Sequence, residues 1–423
     1  MDYYKNIIYD NISRFDLIAK YLYIKAKDKK IQTDFFKKLY HKHLITFNGC
    51  YELPDTTQEK TNISKTNIDN FIMVFDKLIE NIKENGYNEM YPIPIGSNGV
   101  IINGAHRLMI SYYYNIIPKF VKLNELGNTG YNYQFFLNRR NKPKLEPLYA
   151  DTMMLEYIKH NENMRCMIIY PVAFNMQIIS EIFNIINDYG YIYYHKTIEL
   201  NRNGINNLIK EVYRGETWIG GMFPNGWSPG GKADRCVIND EINPILYISI
   251  CMNDVNKCIE LKEKCRSLYN LGKHSLHTSD YSTDTYRITS SLLNSNSIHF
   301  LNNGTNDITE STKKLLKTYF ENKIDDDYCL TSSLILEMYG LRNANDVDYF
   351  HKYDKKLDNF GLHSGEWLQY YKENKDSIIY NPFNYFYFNG LKLASLKVVK
   401  EMKEIRNENK DKIDLELIKK ISI

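Results

Sequence analysis

Apolar residues recur at helical spacing through most of the first ninety positions. Leu17, Ile18, Leu22 and Ile24, followed by Phe35, Phe36 and Leu39, predict helix over residues 15–40. Residues 49–66 are rich in turn formers and predict a loop. The clearest stripe comes next. Ile68, Phe71, Ile72, Phe75, Leu78, Ile79 and Ile82 share one face of a helix over 67–86, with Gly86 at its stop. Pro92 and Pro94 then enforce extended backbone, Ser97-Asn98-Gly99 a hairpin-type turn, and residues 100–102 a short strand. Asn103-Gly104-Ala105 turns into another helix.

Residues 121–148 are polar, punctuated by Gly and Pro, and locally basic, which predicts a connector and a domain boundary near 150. Beyond it, strand and helix patterns alternate. Residues 164–171 predict a buried strand, 175–189 an amphipathic helix, 191–200 a strand and 205–213 a short helix. A glycine-rich stretch over 214–235 holds Trp218, Trp227, Lys232 and Arg235, and predicts a loop over a cleft. A strand over 244–252 and a helix over 256–268 follow. In the last third, Leu334, Ile335, Leu336 and Met338 form a short apolar run ahead of Asp346-Val347-Asp348-Tyr349-Phe350. Leu393, Leu396, Val399 and Met402 then make the apolar side of a basic C-terminal helix. The pattern predicts a multidomain chain of α+β and α/β class, divided at 1–150, 151–310 and 311–423.

Three stretches carry candidate chemistry. A strand over 346–350 would put Asp346 and Asp348 on one face, where two carboxylates can hold a divalent cation against phosphate oxygens. Ser332 and Ser333 precede the short helix, and their hydroxyl and backbone N–H groups can meet phosphate. In the first third, Gly104 permits close backbone approach, Arg107 can fork onto a phosphate, and His106 can orient it or move a proton. In the middle, His277 stands near Asp280, Arg266 and Lys273, a setting that suits phosphoryl transfer.

The 332–350 stretch resembles the signature of the polymerase-beta-like nucleotidyltransferases, in their small forms. That family has a Gly-Gly or Gly-Ser turn, a helix, then Asp-x-Asp, and Ser332-Ser333 stands here in place of the glycine turn. The resemblance implies Mg2+ at Asp346 and Asp348, with a third carboxylate later, for which Asp376 is the choice over Asp358 or Glu366. It also implies triphosphate contacts from Lys392 or Lys397. Residues 67–120 resemble the ParB/sulfiredoxin-like fold, whose turn reads Asp-Gly-x-His-Arg, with Asn103 at the aspartate. By that resemblance Gly104, His106 and Arg107 would contact phosphates, and Glu80 or Glu84 would activate an acceptor hydroxyl, as in the family's small-molecule kinases. Residues 160–292 faintly resemble nucleoside diphosphate kinases in a ferredoxin-like α/β module, with His277 as phosphate acceptor.

Composition narrows this little. The net charge of +3, from 54 basic and 51 acidic residues, marks no nucleic-acid footprint, and no reading helix with a basic face is evident. The seven cysteines show no zinc-like spacing, which suits a reducing compartment. No apolar stretch reaches spanning length and the start lacks the apolar core of a signal peptide, so the expected location is cytoplasmic, with no membrane partner. Abundant Asn, Ile, Lys and Tyr with scarce Ala suggest an AT-rich genome, such as that of a giant virus, which would put the protein in host cytoplasm or virion. The combined expectation is a metal-dependent nucleotidyltransferase using ATP or CTP, coupled to a kinase step, that activates a phosphorylated sugar or polyol. The alternative is a nucleotide-binding regulatory or scaffold protein. Either could be a homo-oligomer.

Overall fold

The computed structural model describes residues 14–52, 65–221, 230–252, 254–305, 307–321 and 326–421. Residues 1–13, most of the loop expected over 49–66, and Trp227 lie outside them. The chain forms two compact units, residues 1–161 and 162–423.

In the first unit, the helix expected over 15–40 is two helices, α1 (Phe15–Asp28) and α2 (Phe35–Asn48). The break falls at Lys30, whose φ is +49°. The amphipathic stripe becomes α3 (Ile68–Asn85). Asn67 caps it by accepting from the Asn70 N–H at 3.0 Å, and Gly86 ends it at φ +78°. β1 (Ile93–Ile95) pairs in parallel with β2 (Phe120–Lys122), and α4 (Ala105–Tyr113) connects them. The strand expected over 100–102 is reduced to one bridge between Ile95 and Ile101. α5 (Tyr133–Leu137) and α6 (Pro147–His160) complete the unit. The expected connector is therefore partly packed structure, since Tyr133 and Phe136 are buried. The boundary falls at 161 because position 150 lies inside α6.

The second unit begins with β3 (Met164–Ile169), α7 (Met176–Tyr189), β4 (Tyr191–Leu200), α8 (Arg202–Val212) and α9 (Gly230–Asp234). β5 (Asn243–Cys251), α10 (Val255–Ser267) and β6 (Leu276–Thr278) follow. The sheet order is β4-β5-β3-β6, and every neighbouring pair is antiparallel. Two β–α–β units are thus interleaved, each leaving a gap that a strand of the other fills. Ile179, Ile182 and Ile186 of α7 and Leu261 and Cys265 of α10 build the core against Met167, Ile248 and Ile250.

α11 (Ser282–Leu292) and α12 (Ser295–Asn303) lead, through α13 (Glu310–Glu321), to a second sheet. It contains β7 (Tyr328–Thr331), β8 (Asp348–His351), β9 (Gly361–Leu362), β10 (Tyr385–Phe388) and β11 (Leu391–Ala394), in the order β10-β11-β7-β8-β9. Its helices are α14 (Ser333–Met338), α15 (Lys375–Tyr380), α16 (Leu396–Arg406) and α17 (Asn409–Ile418). α11 packs against β3 of the first sheet and β10 of the second. That shared layer joins the two regions expected to part near 310 into one unit.

A buried ionic cluster ties α16, α17 and the segment after α14. Lys403 reaches Asp414 at 2.6 Å and Asp411 at 3.3 Å, Arg406 reaches Asp411 at 2.6 Å, and Arg342 reaches Asp414 at 2.5 Å. Burial pushes the Asp411 carboxyl up, but the Arg406 hydrogen bonds, the Glu408 N–H and the charges of Arg406 and Lys403 outweigh it and bring the value to about 2. The folded value lies below the ordinary 3.8, so this contribution to stability is full above about pH 4 and is lost as pH falls toward 2. Asp411→Asn leaves two buried cations short of a partner. Urea denaturation at pH 7 should show a loss of about 3 kcal/mol, with the gap to wild type closing on acidification.

Candidate functional site

The site is built in the first unit, where the turn before α4 faces a cavity of about 760 Å³. Gly104 caps α4 in the left-handed region at φ +86°, and an added Cβ would lie 3.1 Å from the Arg107 Nη2. Asn103, Gly104, His106 and Arg107 all line the cavity. The His106 Nε2 is 2.8 Å from the Tyr40 hydroxyl, and its ring stands edge-on to Phe75 with centroids 4.5 Å apart. Burial, then the charges of Lys20 and Lys65, hold its imidazole well below the ordinary 6.5, so it is neutral near pH 7. Arg107 donates from Nη1 to the Tyr91 carbonyl.

The remaining walls come from residues that sequence reasoning missed. Arg14, Asp16 and Lys20 form a buried ionic group at the cavity, with Arg14 Nε 3.0 Å and Lys20 Nζ 2.9 Å from the Asp16 carboxylate. The spacing of Asp16 and Lys20 one helical turn apart was the signal available in the sequence. Lys77 and Asn81 face the cavity from α3, and Lys65 pairs with Glu52 at its rim at 3.1 Å. Five cationic side chains and two carboxylates line the space, together with Phe47, Phe71, Tyr51, Tyr91 and Tyr131. Glu80 does not reach it. This exposed carboxylate pairs with Lys27 at 3.1 Å, and Glu84 also stays outside.

In the second unit, His277 lies on β6, edge-on to Tyr213 with centroids 5.0 Å apart. Burial and the charges of Lys262, Lys232, Arg266 and Arg287 lower its imidazole to about 3. Asp280 is engaged by Lys262 at 3.2 Å.

The C-terminal candidates divide between the two edges of their sheet. The expected strand over 346–350 starts only at Asp348, so Asp346 sits in a bend and the shared-face argument fails. Asp346 is exposed and accepts from the Ser333 hydroxyl at 3.0 Å. Asp348 is buried, turns one oxygen to the Gly361 backbone, and places the other 3.5 Å from the His363 Nε2. Thr331 pairs with Asp348, so Ser332, just past β7, shares that edge. Lys397 begins α16 directly after β11, which runs parallel to β7, and so belongs to the same edge. Lys392 instead donates to the Asp326 carbonyl at 2.9 Å, ahead of β7. Asp376 is paired with Lys352 at 2.5 Å, past the far end of β8. Asp376 thus stands apart from Asp346 and Asp348, and among the described residues no three His, Cys, Asp or Glu side chains gather to hold a metal.

Ser332 has φ +63° and ψ −133°, a conformation that favours glycine, at the position where the nucleotidyltransferase pattern carries one. Ser332→Gly should stabilise the protein by about 1 kcal/mol in chemical denaturation, because strain of this kind costs about 1–3 kcal/mol and glycine removes most of it. An unchanged or lower midpoint would show that the hydroxyl, not the backbone, sets this turn.

Comparison with family models, with curated proteins and with solved structures finds no match. Among the described residues no helix is long and apolar enough to cross a membrane.

Proposed function

We propose that this chain is a nucleotide-binding regulatory or scaffold protein, with ATP or CTP taken by the cavity of the first unit. The observation that carries the reading is the meeting of the 103–107 turn, five cationic side chains and aromatic walls around one space of about 760 Å³. Cations and a helix-capping turn suit the phosphates, and aromatic rings suit the base. Neutral His106 is suited to share a hydrogen bond without adding charge. Binding is favoured over phosphoryl transfer because both carboxylates at the cavity are committed, Asp16 to Arg14 and Lys20, and Glu52 to Lys65. Neither is free to take a proton from an acceptor hydroxyl. The middle sheet, read as ferredoxin-like, and the C-terminal sheet are then scaffold in a cytoplasmic protein.

Calorimetric titration with ATP and CTP tests this. At least one should bind, and Arg107→Ala and Lys77→Ala should each weaken it by about tenfold or more, the effect of losing a charge-assisted hydrogen bond. No binding by either nucleotide, or unchanged affinity in both variants, would sink the proposal.

Nucleotidyl transfer at the C-terminal sheet is a second reading, favoured by the strained Ser332 beside Asp348. Among the described residues no three candidate donors gather there to hold a metal. On this reading, wild type given a nucleoside triphosphate and a panel of phosphorylated sugars and polyols releases pyrophosphate, and Asp348→Asn does not. Equal release by the two proteins would dismiss it.

A further inference from the structure

The second unit holds a group of hydrogen-bond donors that the nucleotide reading does not use. Tyr170 follows β3 and is fully buried, and its hydroxyl, which lies by that of Tyr213, completes no hydrogen bond of ordinary geometry among the described residues. The Arg266 Nε is also buried without a partner, while its other nitrogens serve Glu263 at 2.8 Å and the Leu276 carbonyl at 3.2 Å. The Lys232 ammonium lies 5.5 Å from the centre of the Tyr170 ring and 4.7 Å from that of Tyr213. It donates to the Lys273 carbonyl at 2.7 Å, and among the described residues no carboxylate pairs with it. His277 closes the group against Tyr213.

These groups are matched in kind. The Tyr170 hydroxyl and the Arg266 Nε are buried donors short of a well-placed acceptor, a state that folded proteins rarely leave uncompensated. Glu263 answers the charge of Arg266, whereas that of Lys232 is answered only by a carbonyl. What is missing is an acceptor with negative charge and several oxygens. We infer that Tyr170, Tyr213, Lys232, Arg266 and His277 form an oxyanion site that takes a phosphate or phosphoryl group and belongs to the second unit, not to the cavity of the first. In it Lys232 supplies charge, Tyr170 and Arg266 supply directed N–H and O–H donors, and the neutral His277 supplies one more. No group is transferred. The site binds.

Inorganic phosphate is the probe, and the full chain with labelled histidine is the sample. The His277 imidazole resonance, assigned as the one missing from His277→Gln, is followed by NMR as phosphate is added at constant ionic strength. Arg107→Ala is run alongside to separate binding in the first unit. A saturable shift should appear in both proteins with the same midpoint. Lys232→Met, which keeps its stem on the two rings, should raise that midpoint about tenfold, and Tyr170→Phe should raise it several-fold. No shift, a shift that never saturates, or an unchanged midpoint in both variants would overturn the site. Should Lys232→Met lose its native circular dichroism, Tyr170→Phe decides alone.

Discussion

Asp16 is the charge that organises the N-terminal unit. It is 1% exposed, where an ionised carboxylate without partners would cost several kcal/mol. Burial pushes its carboxyl up, but Lys20 and then Arg14 outweigh that and hold it well below the ordinary carboxylate range. The same Arg14 gives a hydrogen bond to the Ile101 carbonyl at 3.1 Å. Ile101 lies just ahead of Asn103 and Gly104, so one ionic group both permits a charged cavity wall and sets the turn that faces the cavity.

The second unit solves a different problem, which is how one helix serves two sheets. α11 buries Thr285, Thr289, Ser290 and Ser291 rather than a wide apolar stripe. Each hydroxyl is satisfied close at hand. Thr285 donates to the Met164 carbonyl at 3.0 Å, Thr289 meets the Tyr247 hydroxyl at 2.7 Å, and Ser290 donates to the Arg287 carbonyl at 2.8 Å. Small side chains let both sheets approach, and satisfied hydroxyls keep the burial from costing what bare polar groups would. Arg287 reaches Glu211 of α8 at 2.9 Å, and Glu211 accepts at 2.7 Å from the Asn389 N–H in the turn between β10 and β11.

This explains which parts of the fold were legible in the sequence. α3, α7, β4 and β5 announced themselves because their apolar residues follow one period against one core. β4 in particular spans the ten residues expected, and Asn67 and Gly86 bounded α3 as caps do. α11 hid its role because hydroxyl residues do not register as an apolar face, so the join between the two sheets read as a boundary. The break between α1 and α2 was equally silent, since it rests on the backbone of Lys30 rather than on Gly or Pro. In the candidate site, Gly104, His106 and Arg107 were legible through local turn chemistry. Arg14, Lys65 and Lys77 were not, because only the tertiary fold gathers them.

A side chain can offer a ligand only what the fold has not already taken. Glu80 is held by Lys27, Asp376 by Lys352, and Lys392 by the Asp326 carbonyl between the rings of Tyr380 and Tyr385. Motif spacing cannot see such commitments, because each partner is distant in sequence or belongs to the backbone. Arg107 differs in degree. Its fork carries five donors, of which one goes to the Tyr91 carbonyl, and the side chain lines the cavity. The neutral imidazole of His106, fixed through one nitrogen by Tyr40, has its second nitrogen to present. With Asp16 and Glu52 both paired to neighbours, the described residues place more cations than carboxylates around the cavity, a balance of charge that suits the anionic ligand proposed above.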